Sequence, residues 1–67
     1  MFETVSVSQV HEGMTIFWSS KNWTVVKAEP NMLGQIDIWL RTLGKTGPAD
    51  GHLTFNEDEF DHQLVLG

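Results

Sequence analysis

The side chains able to do chemistry fall into a few short clusters. His11-Glu12, Asp50-x-His52 and Asp61-His62 each set an imidazole close to a carboxylate, a donor pair that can bind zinc. None of these pairs repeats at a ligand spacing. On an extended strand, moreover, adjacent residues point to opposite faces, which makes Asp61-His62 a poor chelator. Glu57, Asp58, Glu59 and Asp61 crowd carboxylates together, but acid–base work by such a group needs a pocket that desolvates one of them. The same run lacks the Asp-x-Asp-x-Asp-Gly opening of a calcium loop. Gly44-Lys45-Thr46-Gly47 has the residue types of a phosphate loop without its earlier glycine, and Pro48 blocks the helix that should follow. Ser6, Ser8, Ser19 and Ser20 lack the Gly-x-Ser-x-Gly elbow that presents a nucleophile. The chain has no cysteine, so thiol chemistry, disulfides and thiolate metal sites are excluded. The residues point away from catalysis, and no metal or cofactor is expected.

The elements that position these groups read as strands. Thr4 to Val7, Met14 to Trp18, Trp23 to Ala28, Gln35 to Leu43, His52 to Phe55 and Gln63 to Leu66 are rich in β-branched and aromatic residues. Turn-forming clusters separate them at Glu12-Gly13, Ser19 to Asn22, Pro30 to Gly34 and Gly44 to Gly51. Alternation is clearest from Gln35 to Leu43, where Ile36, Ile38 and Leu40 share one face and Asp37, Trp39 and Arg41 the other. From Asn56 to His62 a single helical or 3₁₀ turn is expected, with Asn56 as cap and acids near its positive end. A chain of 67 residues makes one domain, residues 1–67. The expected fold is all-β, a small barrel of five to six strands, closed or nearly so, with at most one helical or 3₁₀ turn. Val5, Val7, Val10, Met14, Ile16, Val26, Ala28, Ile36, Ile38, Leu40, Leu53, Phe55, Leu64 and Leu66 are the expected core. Val25 and Val26 cannot both point inward in a regular strand, and Trp23 shares the face of Val25.

The succession of Val5-Ser6-Val7, Val10, Gly13-Met14, a polar turn and Trp23-Thr24-Val25-Val26, closing with Leu53-Thr54-Phe55 and Leu64-Val65-Leu66, resembles the small SH3-like barrels of bacteria and bacteriophages. The resemblance spans nearly the whole chain. It implies a domain that works by binding peptides, proteins or nucleic acids rather than by catalysis. The sequence departs from nucleic-acid-binding members in its acidic C-terminal third.

Three tryptophans are the candidate contact residues. A four-residue turn would make Trp18 and Trp23 direct cross-strand partners, an arrangement that serves equally as the glue of a hairpin. If that pair faces outward, Trp39 joins it in one aromatic patch flanked by Lys27 and Arg41, suited to a protein partner. Alternatively the same indoles would stack bases, or the patch would be buried between copies in a homo-oligomer. The leading expectation is an accessory or inhibitory protein of a bacterium or phage.

Charge separates these readings. Glu3, Glu12, Glu29 and Asp37 balance Lys21, Lys27, Arg41 and Lys45, whereas Asp50, Glu57, Asp58, Glu59 and Asp61 follow with no Lys or Arg after them. The net charge of −5 therefore belongs to the C-terminal third. Glu57, Asp58, Glu59 and Asp61 form an acidic edge that favours a basic protein. The N-terminus lacks the basic and apolar regions of a signal peptide, and no run approaches the ~20 apolar residues of a membrane helix, so the expectation is a cytoplasmic protein without a membrane partner. Because nucleic-acid affinity depends on neutralising phosphates with Lys and Arg, electrophoretic mobility of DNA and RNA should be unchanged by the protein at physiological salt; micromolar, salt-sensitive retardation would reverse the ranking.

Overall fold

The computed structural model describes residues 3–67; the first two positions of the expected domain, Met1 and Phe2, lie outside the described residues. Among the described residues six antiparallel strands form one sheet: β1 (Thr4–Ser6), β2 (Thr15–Trp18), β3 (Lys21–Pro30), β4 (Ile36–Thr42), β5 (Gly51–Phe55) and β6 (Gln63–Leu66). Their order is β1-β6-β2-β3-β4-β5. The last strand thus lies between the first two, pairing Val5 with Leu64 on one side and Ile16 with Leu66 on the other. No α-helix occurs among the described residues, and no helix is long and apolar enough to cross a membrane.

The sheet curls around its apolar face. β2 and β5 are separated in the sheet by β3 and β4, yet the rings of Trp18 and Phe55 meet edge to face at 6.2 Å. Ile16, Ile38, Leu40, Leu64, Val7 and Val25 are almost completely buried inside the curl, with Val10, Trp23 and Phe55 beside them. Val5, Met14, Trp18, Ala28, Ile36, Leu53, Phe60 and Leu66 pack around this centre. The ladder does not close: β1 and β5 are both edges. Curling, rather than full hydrogen-bonded closure, encloses the core.

Two 3₁₀ turns are present among the described residues, where at most one is expected: Val7–Gln9 and Glu57–Glu59. The first arises because the chain leaves β6 while still anchored to the segment before it. Val7 N–H donates to the His62 carbonyl at 3.0 Å and Ser8 N–H to that of Phe60 at 3.2 Å. Val7 and Val10 are both buried, and a three-residue repeat is what a 3₁₀ turn places on one side. The second turn lies within the expected segment. There the Asn56 carbonyl accepts from Glu59 N–H at 2.9 Å, and the Glu59 carboxylate accepts from Asn56 N–H at 3.1 Å.

The β2–β3 hairpin differs from the expected four-residue turn. Trp18 pairs with Lys21 and Ile16 with Trp23, leaving Ser19 and Ser20 as a two-residue loop with φ of 52° and 65°. Positive φ at both central positions is the requirement of a type I′ turn, whose twist matches that of the flanking strands. The tryptophans are consequently diagonal neighbours, joined by the Trp23 indole N–H donating to the Trp18 carbonyl at 2.9 Å. Serine carries none of the Asn-Gly signature of this turn, so the register was hidden in the sequence.

Val26 is also displaced from the expected core. Between Val25 and Lys27 the pairing with β4 advances by only one residue, from Leu40 to Trp39, so Val26 is the extra residue of a bulge. Val25 takes the inward position and Ala28 regains it after the bulge, while Val26 remains half-buried outside the core cluster. The left-handed serines supply a test of the hairpin. Non-glycine residues in that conformation cost ~1–2 kcal/mol each, so Ser19→Asn with Ser20→Gly should stabilise the domain by about 1 kcal/mol, raising the thermal midpoint by roughly 4–8 °C in calorimetry.

Candidate functional site

On the outer face of β3, β4 and β5, one rung of the sheet carries Lys27, Trp39 and His52 side by side. The bulge at Val26 is responsible for this grouping. Continuing the alternation from Trp23 and Val25 would have turned Lys27 inward; the extra residue turns it outward instead. Trp39 stacks on His52 with ring centres 4.9 Å apart and planes 23° from parallel. Lys27 holds its ammonium 5.2 Å from the centre of the indole, within range of a cation–π attraction, and also pairs with Glu29 at 3.2 Å. Trp39 is half-buried by these neighbours, outside the core.

The next rung sets Glu29 opposite Asp37 and Asp37 opposite Thr54. Like charges facing each other across strands are unfavourable, and each carboxylate here has its own compensation. Glu29 has Lys27. Asp37 accepts from the Thr54 hydroxyl at 2.8 Å and the Asn31 amide at 3.1 Å, with His52 Nε2 at 3.3 Å. These contacts, that from Thr54 above all, followed by those from Asn31 and His52, hold the Asp37 carboxyl below its ordinary value of 3.8. In the other direction Arg41 donates to the Gly47 carbonyl at 3.2 Å. The same β4–β5 loop is pinned by Asp50, which accepts from the backbone N–H and the hydroxyl of Thr42, both at 2.9 Å. Those two bonds, with Lys45 nearby, lower the Asp50 carboxyl as well.

The structure therefore divides the expected site. Trp39 and Lys27 come together, with Arg41 further along the same strand. Trp18 and Trp23 belong to the inner side: Trp23 is 9% exposed, and Trp18 packs against the core. The single patch of three indoles does not form. A cue for the placement of Trp23 lay in Gly51, whose hydrogen occupies a position where a Cβ would approach the indole to 2.9 Å. Glycine at a strand position is a mark of such close approach. Glu57, Asp58, Glu59 and Asp61 are all exposed, and Glu57 and Asp58 border a cleft with Leu33 and Gln35.

His52 was legible only as half of an Asp50-x-His52 pair; its partner in the fold is Trp39, across a strand. His62 stacks near Phe55. Among the described residues no group of three or more His, Asp or Glu side chains is arranged to hold a metal ion. Sequence reasoning also passed over Met32 and Leu33, which stand out in solvent at the β3–β4 turn. Their signal was two large apolar residues inside a turn, where polar ones are usual.

No family model, curated protein or solved structure matches the chain.

The depressed Asp37 carboxyl fixes the sign of a pH effect. A group whose pKa is lower in the folded state adds stability above its unfolded value, and that stability is lost as pH falls through the folded value. Thr54→Val removes the leading hydroxyl donor. It should raise the Asp37 carboxyl toward 3.8 in an NMR titration, and it should lessen the loss of stability on acidification below that pH. An unchanged titration would show that the Thr54 bond is not the main cause.

Proposed function

We propose that the chain is a non-catalytic binding domain that engages a basic protein partner. The observation that carries this reading is Trp39, an indole held on the outer face by Lys27 and His52 and not used by the core. Tryptophan is enriched among the residues that dominate binding energy. One already held between neighbours has less freedom to lose when a partner arrives. The exposed acids Glu57, Asp58, Glu59 and Asp61, in a chain of net charge −5, favour a basic surface and faster encounter with it. The role as an accessory or inhibitory protein in the cytoplasm of a bacterium or phage-infected cell is drawn from the resemblance to small SH3-like barrels. The contact of Trp18 with Phe55 across the curled sheet is in keeping with that architecture. Base stacking is the poorer reading, because two of the three indoles serve the core and few cations accompany the third.

Trp39→Ala tests the proposal. Since the ring lies outside the core, the far-UV spectrum should keep its sheet signature. Binding to the partner captured from lysate of the source cells, and identified by mass spectrometry, should weaken by about 2 kcal/mol or more, as at a hot spot. Neutralising the four acids should chiefly slow association and flatten its salt dependence. Unfolding of the Trp39 variant would make the ring structural. Unchanged partner binding with loss of an oligomer would make the face one of self-assembly.

A further inference from the structure

The β3–β4 turn holds two large apolar side chains in open solvent. Met32 and Leu33 are 102% and 82% exposed, and the turn that carries them is tied down. The Asn31 side-chain carbonyl accepts from Leu33 N–H at 2.8 Å and from Gln35 N–H at 3.1 Å, while its amide donates to Gln35 at 3.2 Å and to Asp37 at 3.1 Å. The Gln35 amide in turn donates to the Asn56 side chain at 2.7 Å, linking the turn to the acidic 3₁₀ segment. None of these bonds uses the side chain of Met32 or Leu33. A turn locked by its polar residues and displaying apolar ones has already met the backbone share of the ordering cost of a contact.

Beside this tip is an apolar cleft of about 370 Å³, whose walls include Val10, Ala28, Pro30, Ile36 and Phe60. Gly34 and Gln35 border both this cleft and the shallower one shared by Leu33, Glu57 and Asp58. Tip, cleft and acids are therefore one continuous surface. Glu29, on the apolar cleft, is already paired with Lys27, whereas Glu57 and Asp58 have no such partner among the described residues, and neither cleft has a Lys or Arg among its described lining residues.

We infer that this surface is a docking site for a basic segment of another protein, one that sets apolar side chains against Met32, Leu33 and the cleft while its Lys or Arg residues meet Glu57 and Asp58. Charge selects this occupant. A second copy would bring another −5 to an acidic rim, and an anionic membrane would be repelled in the same way. The inference deepens the reading of the chain as a protein-binding domain and places a second contact surface apart from Trp39.

The test is a titration of the isotope-labelled chain, followed by amide NMR shifts, with a short synthetic peptide in which pairs of Leu alternate with pairs of Lys and Arg. Its counterpart with Glu in place of the basic residues is the control. The basic peptide should shift Met32, Leu33, Gly34, Ile36, Glu57 and Asp58, and the acidic one should not. Met32→Ser with Leu33→Ser should weaken the basic peptide about 30-fold or more, as loss of anchor residues does, with the sheet spectrum unchanged. Glu57→Gln with Asp58→Asn should reduce the salt dependence. Shifts confined to Lys27, Trp39 and His52 would overturn this surface while leaving protein binding through Trp39 in place. An unshifted spectrum at saturating peptide, or equal affinity of the serine variant, would also overturn it. So would self-association of the wild-type chain, or its binding to phosphatidylcholine vesicles, if either is abolished by the serine substitutions.

Discussion

Strand β3 is shared between two halves of the molecule, and the extra residue at Val26 allows it to serve both. Before the bulge, Lys21 to Thr24 pair with β2, and Val25 continues that edge through hydrogen bonds with Gly13 and Met14 at 2.9 and 2.8 Å. After it, Lys27 to Pro30 keep only β4, with which the strand is paired from Trp23 onward. A bulge bends its strand and increases the local twist, which suits a sheet that must bring β5 round to meet β2. It also changes the phase of the side chains. Val25 and Ala28 both turn toward the core, and Lys27 turns out over Trp39. The burial of one face and the composition of the other follow from that single residue.

Cysteine-free and short, the domain depends on packing in place of covalent staples. The buried indole of Trp23 illustrates how the packing is made specific. The indole reaches across β4 to lie against Gly51, where even a methyl group would be crowded, and its one polar atom is satisfied by the Trp18 carbonyl. A tryptophan can be buried without penalty when its N–H finds such a partner. No buried side-chain nitrogen or oxygen lacks a hydrogen-bond partner among the described residues, so polar groups do not erode the small margin typical of a domain this size.

The two candidate surfaces have different physical characters for a common reason. Where β4 is flanked by β3 and β5, the sheet is continuous and its outer face is a regular grid, on which Trp39 can be held by neighbours one strand away on either side. Beyond the bulge β3 has lost β2 as a partner, and Ala28 and Pro30 face Val7 and Val10 across a cleft rather than across a ladder. Curling without closure leaves that opening. The adjoining turn then projects Met32 and Leu33 beyond the grid, beside acids carried by a segment distant in sequence.

Strand class, most strand positions and the apolar face of β4 were legible in the residues, because a half-buried strand writes its burial as strict alternation. The alternation of Ile36, Ile38 and Leu40 against Asp37, Trp39 and Arg41 survives unchanged in the fold. So does the concentration of negative charge after Lys45, which no folding can alter. The turn at Ser19-Ser20, the bulge at Val26 and the first 3₁₀ turn were not legible. Each shifts register or phase by a residue, and the choice is made by cross-strand packing that local sequence does not encode. For the same reason the sequence could place three tryptophans near one another along the chain, whereas only the tertiary structure could send two inward and one outward. The pairing of Trp39 with His52 and the meeting of Leu33 with Glu57 and Asp58 are likewise products of strand order, since residues far apart in the chain become neighbours only when the sheet is assembled.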